Sequence, residues 1–221
     1  MRRQLRREWT ESASPLDHRF AILIDGGFFT RKLYSRLGRK TPSVEDVVTE
    51  IGRLRANPMF TGYELLRTYY YDALPATGKV KHPVTGVELN LAETPVSTRN
   101  KAFLQKLELQ PDISLRAGEV STRGYKLDYR AFDDPDFKTR PPKETDFVLD
   151  LEQKGVDLRI GLDIARLSLK QMVRTIVVVT GDSDFIPAFK FARREGVRVV
   201  LASMGHGVKS ELRAHTDATI D

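Results

Sequence analysis

The chain has 221 residues, with 36 Lys and Arg against 30 Asp and Glu, a formal net charge of +6, and no cysteine. The missing cysteine excludes a disulfide framework, a thiolate zinc site and a Cys nucleophile. His18, His82, His206 and His215 are too dispersed to mark a histidine zinc site. No stretch approaches the ~20 apolar residues that span a bilayer. The N-terminus has the charge of a signal peptide but not the apolar run that should follow it. These features predict a cytoplasmic protein without a membrane partner. A basic lead-in over residues 1–19 would precede one domain over residues 20–221, with an irregular central insertion at about 75–150. The positive balance alone is a weak pointer to a polyanion.

Residues 20–25 (Phe-Ala-Ile-Leu-Ile-Asp) form a short, continuous apolar run closed by Gly26-Gly27, the pattern of a strand buried on both faces. Helical spacing of Phe28, Phe29, Leu33 and Leu37 predicts a helix ended by Gly38. A second helix is expected from Ser43 to about Ala56, with Asp46 completing a capping box. Residues 63–71 are rich in strand formers. Residues 75–97, with three prolines and two glycines, read as loop. Residues 98–109 place Phe103, Leu104 and Leu107 on one helical face. A short strand at 113–115, a hairpin-like excursion at 120–129 around Gly124, and a Pro-rich, charged surface loop at 133–146 complete the middle.

The pattern is clearer from Val156. A helix over 158–172 carries Leu158, Leu162, Ala165 and Leu169 along one stripe. A buried strand at 175–180 follows, then a helix at 185–195 closed by Gly196, and a buried strand at 197–202. A short helix at 208–214 and a short strand at 218–220 end the chain. Strands alternating with helices mean α/β, here three layers around a mainly parallel, twisted sheet.

Ligands of open parallel sheets bind outside the carboxyl ends of the strands. Two apolar strands end in acid there: Asp25, and Asp182 with Asp184. Asp163 lies in the body of the preceding helix. Asp157 is six residues earlier, a rotation of ~600°, and joins Asp163 only from the helix's N-terminal end. Converging carboxylates drive one another to protonate unless a cation lies between them. All-oxygen donors suit a hard cation, Mg²⁺ or Mn²⁺, and such a site serves phosphodiester hydrolysis. Taken singly, Asp25 and Asp184 serve equally well as turn residues or helix caps; the conjunction raises the functional reading.

The stretches Lys154-Gly-Val-Asp157, Gly161-Leu-Asp163-Ile-Ala-Arg-Leu-Ser168 and Thr175-Ile-Val-Val-Val-Thr-Gly-Asp182-Ser-Asp-Phe-Ile-Pro-Ala188, with Ile24-Asp25-Gly26-Gly27-Phe28-Phe29 earlier, resemble the NYN domain family. That family has the PIN-like, Rossmannoid nuclease fold and includes the LabA-type (DUF88) bacterial proteins. The resemblance runs from about Phe20 to Asp221. It implies a Mg²⁺- or Mn²⁺-dependent endoribonuclease with catalytic Asp25, Asp163, Asp182 and Asp184, and Asp157 as a further metal ligand. Its expected partner is single-stranded or structured RNA, and a homo-oligomer is compatible with it. Many relatives carry Asn shortly after the first Asp-Gly, where this chain has Gly27-Phe28-Phe29.

Lys154, Thr180, Ser183, Arg116 and Arg123 are candidate nucleic-acid contacts. Capping explains Ser183 equally well, and a solvated strand face explains either arginine alone. Met204-Gly205-His206-Gly207 offers backbone N–H groups to phosphate or simply turns the chain. The alternative function is an RNA-binding or protein-interaction regulator on the same fold, with weak or no catalysis. Toprim and HAD-type phosphoryl enzymes fit poorly, because the first strand ends in Asp25-Gly26-Gly27. No P-loop motif is present.

Overall fold

Residues 18–221 are described in a computed structural model; the lead-in before them lies outside the described residues. The continuous apolar runs become β1 (Arg19–Asp25), β7 (Thr175–Val179) and β8 (Arg198–Ala202), parallel neighbours at the centre of the sheet. Ile22, Leu23, Ile24 and all of Ile176–Val179 have no exposed surface, as strands covered on both faces require. The sheet has seven strands in the order β6-β5-β2-β1-β7-β8-β9, where β2 is Glu64–Leu74, β5 is Ile113–Leu127, β6 is Phe147–Lys154 and β9 is Ala218–Ile220. Every pairing in it is parallel except β5 with β6.

Three helices cover one face: α1 (Gly26–Arg36), α2 (Val44–Arg55) and α3 (Pro95–Glu108). The expected capping box is present at α2, with Ser43 N–H donating to Asp46 and Asp46 N–H to the Ser43 hydroxyl. The other face carries α4 (Val156–Leu169), α5 (Ile186–Arg194) and α6 (Ser210–Ala214). The three-layer α/β expectation therefore holds. Gly196 has φ of 80°, the left-handed geometry expected after α5.

Four expectations need correction. Residues 113–127 form one strand of 15 residues rather than a short strand and an excursion; Gly124, at φ 91°, lies within a register shift against β6. Residues 147–154, for which no element was expected, pair with it. Residues 75–97 contain a small antiparallel hairpin, β3 (Lys79–Lys81) with β4 (Glu88–Asn90), held by a satellite core of Ala76, Val80 and Leu91.

The fourth correction concerns α4. Its buried stripe is Val156, Ile160, Ile164 and Leu167, whereas Leu158 and Leu162 are 67% and 59% exposed. Both stripes have helical spacing, and tertiary packing selects the one with the isoleucines.

The Pro-rich loop is pinned. Arg140 donates to both oxygens of Asp146 at 2.7 and 2.8 Å and to Asp134 at 2.8 Å. These bonds from Arg140, with one from the Lys143 N–H, hold the Asp146 carboxyl down at about 2. A carboxylate with a depressed pKa stabilises the fold above the ordinary carboxylate range, and that contribution fades as pH falls toward 2. Replacing Arg140 with Met should lower the thermal midpoint at pH 7 by a few degrees. It should also flatten the acid side of the midpoint-versus-pH curve; thermal unfolding between pH 7 and 2.5 reads both.

Candidate active site at the carboxyl edge of the sheet

The chain leaves β1 toward β2 on one side, and β7 is added later on the other. The β1–β7 junction is thus a topological switch point, where a crevice opens beyond the strand ends. Asp25 ends β1 and caps α1, its Oδ1 accepting from the Phe28 N–H at 3.1 Å. The buried Thr180 hydroxyl, one residue past β7, donates to Asp25 Oδ2 at 3.2 Å. The same Thr180 oxygen accepts from the Asp182 N–H at 3.1 Å, and Asp182 Oδ1 accepts from the Asp184 N–H at 2.9 Å. One run of hydrogen bonds thus joins the two strand ends.

Gly26 permits this close approach: a Cβ there would stand 2.6 Å from the Tyr71 carbonyl oxygen. At Gly181 a Cβ would lie 2.6 Å from the Phe28 ring. Both glycines let backbone and ring pack at distances no side chain tolerates.

Burial raises the Asp25 pKa, against the hydrogen bonds from Phe28 and Thr180 and the charge of Arg31, which lower it; the charge of Asp182 raises it further. Asp157, in the first turn of α4, is raised by burial and then by the charges of Asp25, Asp182 and Asp184. These four carboxylates share one electrostatic neighbourhood. Asp163 lies about 9 Å further along the α4 axis. There it accepts from the Tyr71 hydroxyl at 2.9 Å and pairs with Arg116 at 3.2 Å. The helix therefore presents Asp157 to the strand ends and commits Asp163 to β2 and β5.

The other sequence candidates are spread more widely. Thr180 sits beneath Asp25, and Ser183 lines the crevice. Arg116 is engaged by Asp163 and by the Tyr69 ring, 5.3 Å away. Arg123 and Lys154 pair with Glu152 on the β5–β6 ribbon at 3.2 and 3.4 Å.

Sequence reasoning missed Asp72. It lies on β2, one residue beyond the partner of Asp25, and burial raises its pKa. The available signal was an acid directly after the Tyr69-Tyr70-Tyr71 run; β2 continues through Asp72 to Leu74. Also missed were Arg31, Lys32 and Lys209, which with His206 and Phe28 wall a cavity of about 480 Å³ beside Asp25 and Asp182. Lys32 Nζ is 2.9 Å from His206 Nδ1 and lies over the Phe28 ring. Phe28, where many relatives have an amide nearby, is thus part of the wall.

An all-oxygen donor set of mutually repelling carboxylates has the chemistry a hard divalent cation requires. Among the described residues no three His, Cys, Asp or Glu side chains converge closely enough to hold one ion in their present positions. Asp182 and Asp184 are exposed, on a single turn of 3-10 helix after β7.

An Asp25→Asn substitution should raise the thermal midpoint by about 2–4 °C. Asn caps a helix as well as Asp does, and the change removes a charge that burial disfavours. A carboxyl with a raised pKa costs stability as pH climbs through that pKa. The midpoint difference between the two proteins should therefore be largest near neutral pH and shrink on acidification.

Residues 121–221 match the family model described as NYN domain. That span contains Asp157, Asp163, Asp182 and Asp184, and Asp25 precedes it. The family is nuclease-like. No curated protein is matched by the chain. A crystal structure of a protein of unknown function from Vibrio parahaemolyticus has the same fold, with a TM-score of 0.50 and 14% identity over 94% of each chain. No helix among the described residues is long and apolar enough to cross a membrane.

Proposed function

From the NYN domain carried on residues 121–221 and the acids gathered at its sheet edge, we propose that the protein is a divalent-metal-dependent ribonuclease. The observation that carries this reading is the mutual electrostatic influence of Asp157, Asp25, Asp182 and Asp184 at the switch point of a parallel sheet. Such a crowd of carboxylates destabilises the protein and makes sense as a cation site. Asp25, Asp157, Asp182 and Asp184 would hold Mg²⁺ or Mn²⁺. A divalent cation there supplies charge neutralisation and Lewis acidity toward a phosphodiester.

The chain's own groups do the rest. Arg31, Lys32 and Lys209 draw the phosphate backbone into the crevice and offset its charge near the acids. The Phe28 N–H and the Thr180 hydroxyl fix the Asp25 carboxylate, so one orientation toward the substrate is maintained. Asp163, tied to Tyr71 and Arg116, acts as a positioning residue that reinforces the rotation of α4 set by its buried face, and so supports where Asp157 points.

The engagement of Asp163 also supports a second reading. In a regulator that holds RNA without cutting it, the acids already occupied by protein partners would stay so. One experiment separates the two. A labelled single-stranded RNA is incubated with pure protein in Mg²⁺ or Mn²⁺, with EDTA and Asp182→Asn as controls. Metal-dependent cleavage that falls at least ~10²-fold in the variant is the expected result. RNA retained intact by both proteins would establish the regulator, and cleavage indifferent to both controls would overturn the acidic site.

A further inference from the structure

A cavity of about 740 Å³ lies away from the acids. Its walls include Arg174, Lys190, Arg193, Arg194 and Arg198, with Asp217 as the one carboxylate among the described residues, plus Tyr63. Arg174 precedes β7 and Arg198 begins β8, so the cavity opens at the amino edge of the sheet, opposite the crevice. β1 runs from Arg19 at this edge to Asp25 at the other, which separates the two sites by about 20 Å.

The arginines are set by the sheet itself. The Arg174 N–H donates to the Arg19 carbonyl at 2.9 Å, and the Arg198 N–H donates to the Arg174 carbonyl at 2.9 Å. Arg19 and Arg198 therefore begin β1 and β8, and Arg174 stands just before β7 between them, with Arg198 in register with Thr175. The last turn of α5 brings Arg193 and Arg194 alongside, and Lys190 lies one turn earlier on the same helix. Arg19 pairs with Glu64 and Arg193 with Asp217. Among the described residues, no carboxylate lies within 4.0 Å of the charged groups of Arg174, Lys190, Arg194 or Arg198.

The C-terminus of α5 explains a cation at Arg193 or Arg194, because helix carbonyls attract positive charge there. It does not explain Arg174 and Arg198, which stand at the starts of β7 and β8. Like charges gathered at one edge repel, and three arginines without a carboxylate partner among the described residues, beside a lysine, form a surface that an anion would stabilise. Guanidinium forks match phosphate oxygens. The groove is open rather than enclosed, which fits a chain passing across it better than a small molecule buried in it.

We propose that the amino edge of the sheet is a second RNA site, in which Arg174, Arg194, Arg198 and Lys190 hold the phosphodiester backbone of a single strand about 20 Å from the acidic crevice. The choice of RNA rests on the ribonuclease reading; the presence of a phosphate site does not. The site anchors substrates long enough to reach both edges, and short substrates meet the crevice alone.

The test measures the affinity of the full chain for a labelled 25-nucleotide single-stranded RNA in EDTA, across a range of salt. The comparison protein is Arg174→Ala/Arg194→Ala/Arg198→Ala. The expected result is a loss of roughly 10- to 100-fold at moderate salt, with the slope of log affinity against log salt shallower by about 2. The charge-keeping triple Lys variant should keep most of the affinity, and an unchanged thermal midpoint of the Ala triple guards against its misfolding. Unchanged affinity and slope in the Ala triple would overturn the proposal. So would loss of tripolyphosphate binding with RNA binding intact, which would make the site one for a free polyphosphate. Because no cleavage is read, the outcome stands apart from the fate of the catalytic reading.

Discussion

The constraint on which the structure depends is the burial of β1, β7 and β8 on both faces. Strands covered by helices above and below have no side for a charged residue, so polar groups are pushed to the strand ends. The three strands are parallel, so all their beginnings lie at one edge and all their ends at the other. The result is a separation of charge along the sheet. Arg19, Arg174 and Arg198 begin or precede the strands, whereas Asp25 and Asp182 follow or end them. A net charge of +6 says nothing of this arrangement.

The same burial explains why the acidic edge is tolerated. Asp25 is disfavoured where it stands, yet its strand contributes a run of fully buried aliphatic side chains to both cores. Burying such side chains is worth about 1.5–3 kcal/mol each, far more than the cost of one partly buried carboxylate. The hydrogen bonds from Phe28 and Thr180 reduce that cost further and, in doing so, fix the direction of the carboxylate. Stability and orientation are therefore achieved by the same two groups.

Much of this was legible in the residues, because continuous apolar runs are unambiguous when bounded by Asp-Gly or Thr-Gly-Asp. β1 and β7 follow directly from such patterns, β8 from the apolar run after Gly196, and the capping box from the spacing of Ser43 and Asp46. The ribbon of β5 and β6 was harder, since its residues are half-buried and mix polar with apolar. Glu119, Ser121, Arg123 and Lys126 interrupt any clean alternation, and a glycine shifts the register midway. The orientation of α4 could not be read at all from spacing. Leu158 with Leu162 and Ile160 with Ile164 are equally good i, i+4 pairs, and only the sheet decides which is covered.

That rotation of α4 carries through to the site. With Ile160, Ile164 and Leu167 against the sheet, Asp163 falls beside Tyr71 and Arg116 on the β2–β5 side. Asp157, six residues earlier and at the helix start, is then left to face Asp25, Asp182 and Asp184. Reading the leucine stripe as buried would have turned both acids by a large fraction of a revolution. The family resemblance groups all five acids, and the packing gives them different partners: Asp157 feels the charges of Asp25, Asp182 and Asp184, whereas Asp163 is paired with Tyr71 and Arg116. Which acid faces the strand ends is thus decided by the apolar face of a helix, through the side that this face leaves uncovered.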